Sequence, residues 1–251
     1  MAGNKIEQEY LKQGSKEAVR LNKFLSEAGL CSRREADRLI ESGQIFVDGK
    51  RAQCGMKVYR DQDIRRGRKR IGNKPPMVVL AVNKPAGIIC TEETRERKSI
   101  IRFLKYPERI TYIGRLDKDS EGLLLMTNNG DIINKMMKAG NYHEKEYLVK
   151  VDKAVTSEFL QALENGVEIL DTVTRTCQTK KVGKYTFRII ITQGLNRQIR
   201  RMCEALGYQV ERLRRTRIMN IELGNLKEGE YRKVTNAELN GLYDLIRHSS
   251  N

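Results

Sequence analysis

The sequence predicts an α+β protein in which a small, largely helical N-terminal domain precedes a larger domain built on a mostly antiparallel sheet. Three observations predict this class. The 251 residues suit one medium and one small domain better than a single core. From Met77 onward, β-branched and aromatic runs such as MVVLAVNKPAGIIC and YTFRIIIT outnumber the helical segments. Strands and helices do not alternate strictly, so a parallel βαβ arrangement is not expected.

The segment from Val19 to Ala52 predicts two short helices followed by a strand and a turn. The first helix has an apolar face at helical spacing and ends at Gly29. A capping box of Ser32 and Glu35 begins the second helix. The letters IFVDGK then predict a strand that enters an Asp-Gly turn. The apolar face of the first helix comprises Leu21, Phe24, Leu25 and Ala28.

These patterns divide the chain into four segments. The polar opening MAGNKIEQEYLKQGSK is not typical of a signal peptide, and residues 1–18 are expected to form a flexible leader. The small domain covers residues 19–66. The charged stretch at residues 67–76, which contains Gly and Pro, is the expected basic linker, either simply solvated or in contact with phosphates. The larger domain covers residues 77–251.

The charge of the chain favours a polyanionic partner. The chain has 48 Lys and Arg against 32 Asp and Glu, which gives a formal net charge of +16. Contacts between such cations and phosphates release counterions, so nucleic acid is the preferred partner. An anionic membrane surface and a merely soluble basic surface are the alternatives. The longest apolar runs, around MVVLAV and GLLLM, are far too short to span a bilayer, and no membrane partner is expected.

Cysteine and histidine usage argues against metal and disulfide chemistry. The five cysteines are scattered without paired spacing, which fits free thiols in a reducing cytosol. With only two histidines, His143 and His248, a histidine-based metal centre or a Ser-His-Asp site is not expected. We therefore expect a cytoplasmic protein without a metal ion.

Three segments of the larger domain place polar groups where folding alone does not require them. YIGRLDKDSEGLLLMTNNG puts Asp117 in a tight turn, two residues after Arg115. In HEKEYLVKV, Tyr147 opens a strand, and RIIITQGLNRQIRRMCEALGY leads from a strand into a basic helix. Alone, these features are typical of a turn former, a core aromatic and a solvated helix face. The basic helix carries Arg197, Arg200 and Arg201.

Together, these motifs resemble the pseudouridine synthases, in particular the branch that modifies ribosomal RNA and carries an N-terminal S4 domain. The stretch from SRREAD to VDGK resembles the S4 RNA-binding domain. VNKPAGIICT resembles the first motif of the branch, GRLDKDSEGLLLMTN its catalytic motif, KEYLVKV its tyrosine motif and GLNRQIRRMCEALGY its third motif. Asn129 departs from the pattern, since many relatives have an acidic residue there.

The resemblance implies a mechanism in which a uridine is flipped out of the RNA and its N-glycosidic bond is broken. Asp117 would act at the anomeric carbon as nucleophile or as base, without a metal ion or any cofactor. Arg200 would pair with Asp117 and keep the carboxylate ionised. Tyr147 would stack on the uracil and assist proton movement. Arg115 would fill the space that the uridine leaves.

The resemblance also implies RNA contacts and a substrate. The expected substrate is large-subunit ribosomal RNA, with transfer RNA as an open alternative, and a monomer is expected. Lys84 is expected to shape a loop near the RNA rather than to react. The residues expected to contact RNA are Arg115, Lys84, Lys23, Arg33, Arg34, Arg38, Arg197 and Arg201.

Two other kinds of protein could carry an S4 domain on a basic chain. A ribosome-associated S4 protein could bind RNA without altering it, but it would not need the combination of Asp117, Tyr147 and Arg200. A fragment of an S4-bearing aminoacyl-tRNA synthetase would need a HIGH-like or KMSKS-like string, and the sequence contains neither. Covalent attack and a glycal-type route both remain open for the carboxylate.

Overall fold

The computed structural model describes residues 17–72, 75–93, 95–137 and 142–247. Most of the expected leader, together with His248, lies outside the described residues. The chain divides into two compact units. The smaller unit extends to Met77 and takes in Pro107–Arg109, and the larger one comprises Val78–Tyr106 and the chain from Ile110 onward.

The smaller unit has the two helices that the sequence predicts. Helix α1 covers Leu21–Glu27, and Ser32 caps helix α2, Arg33–Glu41, by accepting a hydrogen bond from the Glu35 amide. Ala28 is the C-cap of α1 and is only partly buried, unlike the rest of the predicted apolar face. The strands of this unit are β1 (Val19–Arg20), β2 (Ile45–Val47), β3 (Lys50–Arg51), β4 (Lys57–Val58), β5 (Ile64–Arg66) and β6 (Lys69–Arg70).

The Asp-Gly turn lies where the sequence predicts it. Asp48 and Gly49 both have positive φ, 49° and 77°, and they join β2 to β3 with Val47 opposite Lys50. Two central residues with positive φ are the geometry of the tight hairpin turns that match strand twist, and Asp-Gly tolerates it well. The turn therefore fixes the register of this hairpin.

The end of the smaller unit differs from the predicted linker at residues 67–76. Strand β6 pairs antiparallel with β5, and the Ile71 amide donates to the Ile64 carbonyl at 2.8 Å. Ile71 also packs against the apolar core of this unit. Residues 67–71 thus belong to a hairpin, which the sequence did not reveal because its charged residues lie on an exposed edge.

A nine-stranded, mostly antiparallel sheet forms the centre of the larger unit, as predicted. Its main path runs β13-β14-β10-β15-β9-β7-β17, with β8 beside β9 and β16 beside β15. A separate pair, β11 and β12, is also antiparallel. The strands are β7 (Val79–Lys84), β8 (Thr111–Ile113), β9 (Glu121–Thr127), β10 (Lys145–Val151), β11 (Glu168–Ile169), β12 (Thr172–Val173), β13 (Gln178–Gly183), β14 (Thr186–Ile191), β15 (Val210–Ile218), β16 (Ile221–Glu222) and β17 (Tyr231–Lys233).

In the described residues, five helices accompany this sheet. Side chains of the sheet and of three of these helices share one apolar core, in which Phe159 makes an edge contact with Phe187. Thr235 and Glu238 form a capping box at the start of the last of these helices. The helices are α3 (Ile100–Leu104), α4 (Gly130–Met137), α5 (Ser157–Glu164), α6 (Gln198–Ala205) and α7 (Asn236–Ile246).

Asn129, which departs from the family pattern, has a structural position just before α4. Its Oδ1 accepts a hydrogen bond from the Asp131 amide at 3.0 Å, and its side chain is buried. An asparagine is well suited to satisfying a free amide at the start of a helix. The departure therefore serves the local fold and leaves the active-site assignment unaffected.

Strands β9 and β15 form the one parallel pairing along the main path of the sheet described here, and they approach closely at Gly122. Gly122 has a φ of +99°, and a Cβ placed on it would lie 2.3 Å from the carbonyl oxygen of Arg215. No side chain fits at that distance, and the φ is one that L-residues rarely adopt. Gly122 therefore permits Arg215 to lie directly behind the segment that follows Asp117.

We expect Gly122→Ala to lower the free energy of unfolding by about 2–5 kcal/mol, because a backbone clash adds to the strain of the positive φ. Gly87→Ala is a suitable comparison: Gly87 also has a positive φ, +88°, but open space surrounds its Cα. It should therefore show the strain without the clash. Urea denaturation of both variants measures the difference, and equal losses of stability would contradict the close-approach explanation.

Candidate active site

A pocket of about 520 Å³ opens in the larger unit where β8, β10, β14 and β15 meet the start of α6. Its wall contains both polar and apolar side chains, which is typical of a site that binds a small, partly polar group. Asp117 and Tyr147, assigned from separate motifs, line this same pocket. The lining also includes Arg115, Lys145, His143, Arg197 and Arg215.

Asp117 lies in the loop that connects β8 to β9. A turn closes this loop, since the Ser120 amide donates to the Asp117 carbonyl at 3.1 Å. The Asp117 side chain is partly buried, and among the described residues its carboxylate has no hydrogen bond or ion pair. Its carboxylate oxygens are consequently available to a molecule in the pocket.

The NKPAG loop supports the Asp117 loop from one side. The Gly87 amide donates to the Lys118 carbonyl at 2.6 Å. Lys84 is fully buried, and its Nζ donates to the carbonyls of Pro85 and Ile88 at 2.9 and 2.7 Å. Burial lowers the pKa of Lys84, while nearby acidic groups partly oppose that shift. These contacts agree with the expected role of Lys84 in shaping the loop, and its contact with RNA stays a prediction.

Arg200, which was expected to pair with Asp117, contacts Asp119 in this structure. The Nε of Arg200 lies 3.3 Å from a carboxylate oxygen of Asp119, and its two terminal nitrogens donate to the carbonyls of Asp119 and Val210, both at 3.0 Å. Arg197 forms a bidentate pair with the same Asp119 carboxylate, with both hydrogen bonds at 3.1 Å. The two arginines therefore hold the Asp117 loop through Asp119.

Electrostatics agrees with that arrangement. Burial opposes ionisation of Asp119, but the hydrogen bonds from Arg197 and the charge of Arg200 outweigh it and lower the pKa of the carboxyl. The same pair raises the pKa of Arg197. Because Asp119 already neutralises charge from both guanidinium groups, it is less available for chemistry than Asp117, two residues earlier.

Tyr147 is the third residue of β10 and is buried, with a relative exposure of 8%. Val149 shares its face and is fully buried, so only the pocket side of the ring is accessible. The Nη1 of Arg215 lies 3.5 Å from the Tyr147 hydroxyl, at the limit of a hydrogen bond. The ring is thus held in place and presents a flat surface to the pocket.

Sequence reasoning missed three pocket residues, namely Lys145, His143 and Arg215. Arg215 is 2% exposed and its Nε donates to the Leu123 carbonyl at 2.7 Å. Alternation along β15 places Arg215 on the same face as buried Leu213, which was the available signal. Alternation along β10 likewise places Lys145 on the face of Tyr147.

Two of these residues, Lys145 and His143, have lowered pKa values. Burial and the neighbouring Arg215 charge lower the pKa of Lys145 to about 8. The Lys145 Nζ donates to the His143 carbonyl at 3.2 Å. Burial lowers the pKa of His143, whose Nε2 lies 3.1 Å from the Lys135 carbonyl oxygen. The pocket therefore disfavours the protonated forms of Lys145 and His143.

The remaining predicted RNA contacts have different environments. Arg115 is exposed at the rim of the pocket, and Arg201 bonds to Asn196 through its Nε at 3.1 Å. In the smaller unit, Arg33 and Arg34 are exposed on α2. Arg38 pairs with Glu35 at 3.2 Å, and Lys23 lies 3.6 Å from a Glu27 oxygen. These basic side chains can meet phosphates at the surface.

The described residues contain neither a metal-binding cluster nor a membrane-spanning helix. No cluster of three or more His, Cys, Asp or Glu side chains within those ranges could hold a metal ion. In the same part of the chain, no helix has the length and apolar character needed to cross a bilayer.

A small unit with an exposed basic helix precedes a sheet domain whose pocket contains Asp117 and the buried Tyr147, as expected of a pseudouridine synthase. The comparisons with known proteins agree. Residues 78–205 match the family of RNA pseudouridylate synthases, and residues 19–64 match the S4 domain. The chain belongs to the RNA pseudouridylate synthase family, which confirms the resemblance in the sequence, and it is a pseudouridine synthase.

The chain is similar to individual pseudouridine synthases over most of its length. The chain is 51% identical to the dual-specificity RNA pseudouridine synthase RluF of Escherichia coli K12, over 93% of this chain and 81% of that protein. It is 35% identical to the ribosomal large subunit pseudouridine synthase B of Bacillus subtilis 168, over 92% and 98% of the two chains. A crystal structure of a pseudouridylate synthase, 26% identical, superposes with a TM-score of 0.66 over 89% of this chain and 99% of that one. The fold class predicted from sequence is thereby confirmed.

Proposed function

We propose that this enzyme converts a specific uridine of large-subunit ribosomal RNA to pseudouridine and that transfer RNA is a second substrate. The name of the Bacillus relative supports a large-subunit substrate, and the name of the Escherichia coli relative describes dual specificity. The net charge of +16 supports a polyanionic substrate of this size. We further propose that it acts in the cytoplasm as a monomer.

The single observation that carries the mechanism is that Asp117, whose carboxylate has no hydrogen bond or ion pair within the described residues, lines the same pocket as Tyr147. Asp119 is neutralised by two arginines, so Asp117 is the carboxylate that can react with the ribose. Ionised, it attacks the anomeric carbon or removes a proton from the adjacent ribose carbon. Either role requires a carboxylate that no protein group already occupies.

The neighbouring residues position the target nucleotide. Uridine in a paired stem is inaccessible, so the nucleotide must leave the helix before it enters the pocket. Tyr147 offers the uracil a stacking surface, and base stacking on an aromatic ring contributes about 1–3 kcal/mol. Arg115, exposed at the rim, occupies the space that the nucleotide vacates, because a guanidinium can stack and donate hydrogen bonds at once.

Mapping of pseudouridine in cells tests the substrate assignment. Ribosomal and transfer RNA from cells with and without the gene are treated with a pseudouridine-specific reagent and sequenced. We expect at least one large-subunit position, and one position in transfer RNA, to lose its signal in the deletion. A change in transfer RNA alone would overturn the ribosomal assignment.

The basic face of α2 should contribute to RNA affinity. Replacing Arg33, Arg34 and Arg38 with Gln is expected to weaken binding about 10- to 100-fold and to lower the slope of log affinity against log salt by about 2–3, because about three phosphate contacts are lost. Fluorescence anisotropy with the mapped RNA at several salt concentrations measures both values. An equal loss in a control with the same charge change on the exposed residues Lys50, Lys57 and Lys69 would contradict a specific role for α2.

A further inference from the structure

Arg215 is a buried cation whose charge no acidic group neutralises within the described residues. It is 2% exposed, it has no salt bridge, and its Nη2 has no hydrogen-bond partner. Its other nitrogens bond to the Leu123 carbonyl and approach the Tyr147 hydroxyl, both of which are uncharged. A buried charge without a counterion costs folding free energy, so such a group is retained for a reason other than stability.

Lys145 is a second cation in the same pocket. It lines the wall beside Tyr147, and its Nζ donates to the His143 carbonyl rather than to a carboxylate. Lys145 and Arg215 line the same pocket. Burial and, after it, the charge of Arg215 lower the pKa of Lys145. Asp117 is the acidic side chain that lines the pocket. The residues that line the pocket therefore carry more positive than negative charge.

The reaction supplies negative charge at one stage. When the bond between C1′ of ribose and N1 of uracil breaks, the electron pair stays on N1, and the base becomes a uracil anion with charge shared by its two carbonyl oxygens. The Asp117 carboxylate balances the change on the ribose, by bonding to C1′ or by taking a ribose proton. The base then turns, and a C5–C1′ bond forms as the Asp117–C1′ bond breaks or as Asp117 returns the proton to the ribose. Loss of the C5 proton and protonation of N1 then give the neutral product.

We propose that Arg215 and Lys145 form a cationic pair that stabilises the uracil anion between cleavage of the N-glycosidic bond and attachment through C5. This inference rests on the proposed function and adds a role for two residues outside the Asp117 and Tyr147 motifs. Uridine itself is neutral, so the pair interacts more strongly with the separated base than with the bound substrate. It consequently acts on kcat more than on KM.

The position of Arg215 fits this role. Its guanidinium carbon lies 6.0 Å from the centre of the Tyr147 ring, which is the proposed stacking surface for uracil. Gly122 allows the backbone of Arg215 to pack against β9, so the charge is fixed before substrate arrives. A charge that is fixed in a buried site stabilises an anion without reorganisation during the reaction.

Kinetics with two leaving groups test the proposal. The RNA identified by mapping is prepared with uridine or with 5-fluorouridine at the target, and loss of the N-linked nucleotide is followed after nuclease digestion. Fluorine stabilises the base anion, so cleavage of 5-fluorouridine depends less on the cations. We expect Arg215→Gln to lower kcat for uridine about 100-fold with KM within about threefold, and to lower cleavage of 5-fluorouridine by less than about tenfold.

Controls separate charge from packing. Arg215→Lys, which keeps the charge, should recover at least about tenfold of the lost kcat, and Lys145→Met should show the same leaving-group dependence as Arg215→Gln. Lys145→Met also serves if Arg215→Gln fails to fold, as judged by its thermal melt. Equal losses for both nucleotides, or a loss in KM alone, would overturn the proposal and leave Arg215 as a structural support for Tyr147. Absence of pseudouridine with the wild-type enzyme would instead refute the proposed function.

Discussion

Asp117→Asn is expected to lower the rate of pseudouridine formation by more than about 10³-fold, because the amide cannot act as an anionic nucleophile or base. The affinity for RNA should stay within about tenfold, since the basic surfaces that bind phosphate are unchanged. Single-turnover kinetics with the mapped RNA measure the rate, and anisotropy measures the affinity.

Asp119→Asn is the matched control for this prediction. It changes the same charge two residues away in the same loop, but it removes the partner of Arg197 and Arg200 rather than the free carboxylate. We expect a rate loss of about 10- to 100-fold at most, through looser placement of the loop. If Asp119→Asn were the inactive variant and Asp117→Asn the active one, the assignment of the two carboxylates would be reversed.

Tyr147→Leu is expected to lower kcat about 10²- to 10³-fold. Leucine fills part of the space but gives the uracil no aromatic surface, and it removes the hydroxyl that lies near Arg215. Steady-state kinetics on the mapped RNA, with a thermal melt to verify folding, measure the effect.

Tyr147→Phe divides that effect between the ring and the hydroxyl. Phenylalanine keeps the stacking surface, so any remaining loss reports the hydroxyl. If Tyr147→Phe is nearly as slow as Tyr147→Leu, proton movement through the hydroxyl dominates; if it is nearly as fast as wild type, stacking dominates. A Tyr147→Leu variant with wild-type kcat would contradict both roles.

Local patterns were sufficient to predict most elements of the fold. The Asp-Gly turn at Asp48, the cap at Ser32 and the capping box at Thr235 each depend on residues that are close in sequence. The hairpin that ends at Lys69–Arg70 was missed because its strand is short, charged and exposed, and therefore lacks an apolar period. Its pairing is set by tertiary contacts of Ile71.

For the site, sequence reasoning predicted two residues that share a pocket, but it gave Arg200 a different partner from the one in the structure. Asp117 and Tyr147 share a pocket, although the two residues are 30 positions apart in the sequence. Arg200 pairs with Asp119 rather than Asp117 because of the way the loop contacts α6. That contact is tertiary, so the local sequence does not predict it. Arg215 was not among the predicted site residues; it lies in a strand rich in charged residues, and the pleat turns this arginine inward.

Complementation of a deletion strain tests the account most directly. Wild-type, Asp117→Asn and Asp119→Asn enzymes are expressed at equal levels in cells lacking the gene, and pseudouridine is mapped in ribosomal RNA. The account predicts that the wild-type enzyme and Asp119→Asn restore the missing signal and that Asp117→Asn does not. Full restoration by Asp117→Asn would contradict the claim that this carboxylate performs the reaction.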